Sequence, residues 1–131
     1  MKRIVVVAVS ALVAIGPIGA APASASGRDG GKPEVVRSGA CSGSSAWKLK
    51  LSPDNGRIEV DLEVHEALAH QTWRVRMRHE GELFYRGAHR TDATGSFDVT
   101  RRANDGAGRD GFRVRAVNAA TGEVCTATGT Y

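Results

Sequence analysis

The chain has 131 residues, with 18 Lys and Arg against 14 Asp and Glu and a net charge of +4. Two of the basic residues, Lys2 and Arg3, lie in an N-terminal stretch with the marks of a cleaved signal, so the rest balances at 16 minus 14, or +2. That excludes a globally basic nucleic-acid binder and turns any electrostatic argument into one about where charges sit.

In the first 25 residues, Lys2 and Arg3 precede an apolar run from Ile4 to Ile18, broken only by Ser10 and Gly16-Pro17. Ala23-Ser24-Ala25 then fits the A-x-A pattern of signal-peptidase cleavage. The run is shorter than the roughly 20 residues of a spanning helix, and no second apolar stretch follows. Cys41 lies well beyond the run, which argues against a lipoprotein anchor. The expectation is a secreted protein cut after Ala25, leaving 131 − 25 = 106 residues, the length of one domain. Residues 26–40, rich in Gly, Ser and charge, read as a flexible leader with at most a short edge strand at Glu34-Val35-Val36. The domain itself is expected to span residues 41–131.

From Ser44 onward apolar and polar residues alternate between closely spaced turns, the pattern of an all-β chain. The first strand, from Ala46 to Leu51, sets Trp47, Leu49 and Leu51 against Lys48 and Lys50. Pro53-Asp54-Asn55-Gly56 predicts a hairpin turn. The second strand sets Ile58, Val60, Leu62 and Val64 against Glu59, Asp61 and Glu63. A two-residue Asn55-Gly56 turn puts Leu49 opposite Leu62, Lys50 opposite Asp61 and Lys48 opposite Glu63, so apolar meets apolar and charge meets counter-charge.

The third strand alternates Trp73, Val75 and Met77 with Arg74, Arg76 and Arg78, and Glu80-Gly81 turns it into a short fourth strand from Leu83 to Arg86. A turn at Asp92-Ala93-Thr94-Gly95 leads to a fifth strand with Phe97 and Val99. A glycine-rich loop from Asn104 to Gly111 precedes the sixth, which sets Phe112, Val114 and Ala116 against Arg113 and Arg115. The last strand contains Cys125. Seven strands in this length predict a two-sheet antiparallel sandwich of immunoglobulin or fibronectin type III kind. If each connection reverses direction, Cys41 and Cys125 lie at the same pole. A disulfide between them is the expected state of two cysteines in an oxidising compartment.

Topology decides what the arginines mean. In the fibronectin-like arrangement the first, second and fifth strands form one sheet and the third, fourth, sixth and seventh the other. Arg74, Arg76, Arg78, Arg113 and Arg115 then share one outer face, a candidate surface for anionic cell-envelope polymers or other polyanions. In a simple meander they meet Glu59, Asp61 and Glu63 instead, and no such face exists. Phe84, Tyr85 and Tyr131 are the only aromatics free to stack on bases, which argues against nucleic acid.

Other motifs carry less. Gly106-Ala107-Gly108-Arg109-Asp110-Gly111 matches G-x-G-x-x-G but precedes a strand, where a dinucleotide site needs a helix. One copy of a calcium-type nonapeptide does not make a stacked site, although Asn104, Asp105 and Asp110 could form a weak one. His65, His70, His79 and His89, with Met77, lack the tight spacing of metal ligands and read as scattered, so no metal site and no cofactor are expected. No nucleophile sits in a recognisable setting, and the chain is not expected to be an enzyme.

The stretches Cys41 to Lys50, Gly56 to Val60, Gln71 to Val75 and Thr121 to Cys125 resemble small secreted actinobacterial proteins of unknown function with an immunoglobulin-like or fibronectin-like sandwich. The resemblance implies export and this fold, and brings no activity. The functional expectation is a non-enzymatic binding module of the envelope or extracellular space, its partner an anionic polymer or a protein. The alternatives are a secreted inhibitor presenting residues 104–111 or 86–95 as a loop and, third, a weak metal carrier.

Overall fold

The computed structural model describes residues 32–131. The expected signal sequence and cleavage site lie outside the described residues, as do residues 26–31 of the expected leader. Eight strands follow one another: β1 (Val35–Ala40), β2 (Ala46–Asp54), β3 (Arg57–His65), β4 (Thr72–His79), β5 (Glu82–Arg90), β6 (Phe97–Asn104), β7 (Gly111–Asn118) and β8 (Val124–Thr130). They form two four-stranded antiparallel sheets, ordered β1-β2-β3-β6 and β5-β4-β7-β8. Among the described residues no helix is long and apolar enough to cross a membrane.

The β2–β3 hairpin has the expected register residue for residue, with Leu49 opposite Leu62, Lys50 opposite Asp61 and Lys48 opposite Glu63. Its turn places both Asn55 (φ 49°) and Gly56 (φ 78°) in the left-handed region. That is the backbone of a turn whose twist matches the flanking strands, and Asn-Gly is the pair that adopts it at least cost. Glu80 (φ 49°) and Gly81 (φ 82°) repeat the device between β4 and β5.

The core lies between the sheets. Trp47, Leu49, Leu51, Ile58, Val60, Leu62 and Val64 from one layer meet Trp73, Val75, Met77, Phe112, Val114, Ala116 and Ala127 from the other, all buried. These are the inward positions of the alternation, because successive side chains on a strand point to opposite faces. Cys41 and Cys125 are joined, with Cα atoms 4.3 Å apart. The bond ties the end of β1, in the first sheet, to β8 in the second.

Three expectations need correction. The sandwich has eight strands rather than seven, and it begins at Val35 rather than Cys41, since residues 35–40 of the supposed flexible leader pair with β2 along their whole length. The fourth strand runs on to Arg90 instead of ending at Arg86. Tyr131, counted among the free aromatics, is buried.

Candidate functional site

β3 pairs with β2 and β6, and β4 with β5 and β7, so the two strands flanking residues 66–71 belong to different sheets. The meander that would have neutralised the arginines is therefore absent. Arg74, Arg76 and Arg78 of β4 and Arg113 and Arg115 of β7 stand on one solvent-facing surface, each exposed. Arg76 is the Cα partner of Arg115, and Arg78 of Arg113.

The surface extends further than the alternation indicated. Arg86 is the β5 partner of Arg76, and Arg90 pairs with the exposed Thr72, so both join the same face. Its remaining paired positions are Thr72, Leu83, Ala88, Gly111, Val117, Val124, Thr126, Thr128 and Thr130. None is acidic, and none of the seven arginines forms an ion pair among the described residues. Arg76, Arg78, Arg113 and Arg115 line a shallow cleft of about 240 Å³. A larger open groove of about 720 Å³ continues past Arg78 and Arg113 toward Arg37 and the edge of Trp47.

The opposite face shows what ordinary surface charge looks like in this fold. Lys48, Lys50, Arg57 and Arg102 are interleaved there with Asp54, Glu59, Asp61, Glu63 and Asp98, in facing rows. Arg102 pairs with Asp54 and reaches Glu59 at 3.8 Å. Asp61 accepts a hydrogen bond from Thr100 Oγ1 at 3.3 Å, and partial burial pushes its carboxyl above the usual range. One face is thus matched pair by pair, while the paired strand positions of the other carry one sign only, with Glu80 at the end of the groove beyond Arg78.

Aromatics contribute little to the arginine surface. A register shift at Met77/Arg78 lets both Phe84 and Tyr85 become half-buried. Phe84 packs edge-on against Phe112, with centroids 6.1 Å apart. Tyr85 lies under the Arg101 guanidinium at 4.1 Å and hydrogen-bonds His89 Nε2 at 2.6 Å. Neither is free to stack on a base.

The two loops considered for an inhibitor are differently placed. Arg86–Arg90 belong to β5, and the turn that follows is closed by Asp92 Oδ1, which accepts from Thr94 N, Thr94 Oγ1 and Ser96 N. Thr91, buried, donates to the Leu68 carbonyl at 2.7 Å. Residues 86–95 are therefore no free loop. In the 104–111 loop Asp110 is 2% exposed and accepts from Gly106 N at 3.1 Å, which pins the segment from within.

The histidines remain dispersed, except that His79 meets Asp110. His65 lies beside Glu66 at 3.9 Å, and His89 stacks on Phe97. Of the weak calcium set, Asp110 turns inward, while Asn104 and Asp105 are exposed. Comparison with protein-family models, curated proteins and solved structures finds no match for the chain, so the functional reading rests on the geometry alone.

Proposed function

We propose that this protein is an exported, non-enzymatic binding module that docks an anionic polymer of the cell envelope on the outer face of the β5-β4-β7-β8 sheet. The observation that carries the reading is the one-sided placement of Arg74, Arg76, Arg78, Arg86, Arg90, Arg113 and Arg115, with no acid at the cross-strand positions they share. Like charges directly opposite across strands destabilise a sheet. A fold that neutralises its other face row by row carries this cost on a surface suited to a ligand of opposite sign.

The choice of residue sharpens the class. The face uses arginine throughout and no lysine, whereas both lysines of β2 lie on the neutralised face. Guanidinium forks match phosphate, sulfate and carboxylate oxygens two at a time, which an ammonium does not. Along β4 alternate arginines repeat at about 6.7 Å, twice the rise per residue of an extended strand. An extended polymer with regularly spaced anionic groups meets such a ladder along its length. The absence of stacking aromatics favours a polysaccharide or polyol phosphate over single-stranded nucleic acid.

The test is retention of the disulfide-intact protein on isolated envelope across a salt series. Binding carried by this face falls steeply with salt, because each neutralised anionic group releases condensed counterions. Changing Arg76 and Arg113 together to Glu abolishes retention at low salt. Retention indifferent to both salt and that double change overturns the reading.

A further inference from the structure

At the pole where β4 ends, His79, Glu80 and Asp110 converge, with one ligand atom from each lying within 4.8 Å of the others. We infer that this cluster is a divalent transition-metal site of zinc type, built from one imidazole and two carboxylates and open to solvent on the Glu80 side. The sequence spacing gives no hint of it. His79 and Asp110 are 31 residues apart and meet only because β4 and β7 are neighbours, with His79 opposite Phe112.

The first observation is the state of Asp110. It is 2% exposed, its Oδ1 accepts from Gly106 N and lies 2.7 Å from His79 Nε2, and its Oδ2 is buried with no hydrogen-bond partner among the described residues. A buried carboxylate oxygen left unpaired is costly, and in native proteins it commonly marks the place of a water or an ion. Asp110 thus keeps an unused acceptor on the carboxyl that touches the His79 ring.

The second observation is that the donors are held in place before any ion arrives. The His79 ring stacks on Phe112 at 4.6 Å, nearly parallel, and meets Phe84 edge-on at 6.5 Å. Glu80 sits in a tight turn with φ 49°, and its N–H donates to the Gly111 carbonyl at 2.9 Å. Glu80 Oε1 accepts from Gly111 N. The backbone of Asp110 is fastened on both sides, exchanging two 2.8 Å hydrogen bonds with Tyr131. Preorganised donors of this kind lose little entropy on binding.

The donor chemistry selects the metal. Imidazole with carboxylates suits zinc and its neighbours, while calcium prefers six to eight oxygens, more than this pole offers. Donors bound at about 2.0–2.1 Å around a tetrahedral zinc lie about 3.3 Å apart. The His79–Asp110 contact then opens by roughly half an ångström, and Glu80 closes toward it. Water takes the fourth position.

The experiment is a titration of the untagged, disulfide-intact protein with ZnCl₂, followed by calorimetry and by thermal unfolding, with CaCl₂ in parallel. The expected result is one zinc per chain and a raised Tm, with calcium silent. Glu80→Gln keeps an acceptor for Gly111 N and weakens zinc binding about tenfold, and His79→Gln abolishes it, each with the zinc-free Tm compared directly. Because Glu80 is exposed, its variant reads the site even if Asp110→Asn fails to fold. Absence of zinc binding by the unaltered protein, unchanged affinity in Glu80→Gln, or a response to calcium without zinc overturns the inference.

Discussion

Arg76 stands directly opposite Arg115 across β4 and β7, and directly opposite Arg86 across β4 and β5. Three guanidinium-bearing side chains thus form one row across three strands, and Thr126 continues it on β8. No carboxylate shares the row. The central arginine has a like charge on both sides, and its removal relieves two repulsions at once.

Replacing Arg76 by Thr, a residue at home on an exposed strand, therefore stabilises the domain by ~0.5–1 kcal/mol at low ionic strength. The gain shrinks as salt is added, because screening already weakens the repulsion in the parent protein. Urea unfolding of both proteins at low and moderate salt checks this. A variant that is less stable than the parent at every salt concentration shows that the row contributes favourably, through packing of the arginine stems, and removes the repulsion argument. Under the proposed function the same variant is expected to bind envelope polymer more weakly, so stability and binding move in opposite directions.

The parts legible in the sequence are those governed by local rules. The β2–β3 hairpin follows from strict alternation and an Asn-Gly turn, and its register is reproduced pair by pair. The division into two sheets followed only conditionally, as one of two topologies. Edge strand β1 reads only as a short piece at Glu34-Val35-Val36, because its partner, rather than its own Val-Val-Arg-Ser-Gly-Ala composition, makes it a strand through Ala40. The far half of β5 escaped because Gly87 and His89 occupy its inward phase, where alternation looks for aliphatic residues, and Arg90 stayed out of the candidate face as a result; Arg86, the last residue of the strand as read, reaches that face through the register shift at Met77/Arg78. Asp110 reads only as one of a weak calcium set with Asn104 and Asp105, and its burial against His79 is not foreseen. A buried acid in a glycine-rich loop depends on a histidine from another strand, and no local signal encodes that meeting.

The disulfide and Glu123 act together on one corner. Glu123 Oε2 accepts from Gly43 N at 2.9 Å and Ser45 N at 3.0 Å, and Oε1 accepts from Ser45 Oγ at 2.8 Å. The carboxylate thus closes the 42–45 connection onto the strand pair that carries Cys125. Glu123→Ala costs about 1.5–3 kcal/mol, and Glu123→Gln less, since one acceptor oxygen survives. Urea midpoints with the disulfide intact check this. Equal losses for the two variants show that the carboxylate's hydrogen bonds are not what holds the corner.

Cys41 and Cys125 are 84 positions apart. Replacing both by Ser releases a loop of that size in the unfolded chain and lowers stability by about 4–5 kcal/mol in the chain-entropy view. That is a large share of what a domain of this size has, on the order of 5–15 kcal/mol. Urea unfolding of the double variant measures it directly. A loss below about 1 kcal/mol means that the β1–β2 and β7–β8 pairings hold the corner without the bond.

His89 gives the fold a predictable pH response. Burial holds its imidazole below the ordinary histidine value, and the Arg101 guanidinium adds to the effect. Its Nε2 is engaged by the Tyr85 hydroxyl, and its ring stacks on Phe97 with centroids 5.9 Å apart. Because the folded chain binds this proton less readily than the unfolded one, protonation favours unfolding. The His89 contribution is complete above the unfolded value of about 6.5 and is lost as pH falls through it, levelling off once the folded form also protonates. His89→Gln keeps a polar partner for Tyr85 and has nothing to titrate. The difference in urea midpoint between parent and variant therefore changes between pH 7.5 and pH 5, with the parent losing more on acidification. A difference that stays constant over that range places His89 in an environment as open to water as the unfolded chain, and the Tyr85–His89–Phe97 packing then confers no pH sensitivity.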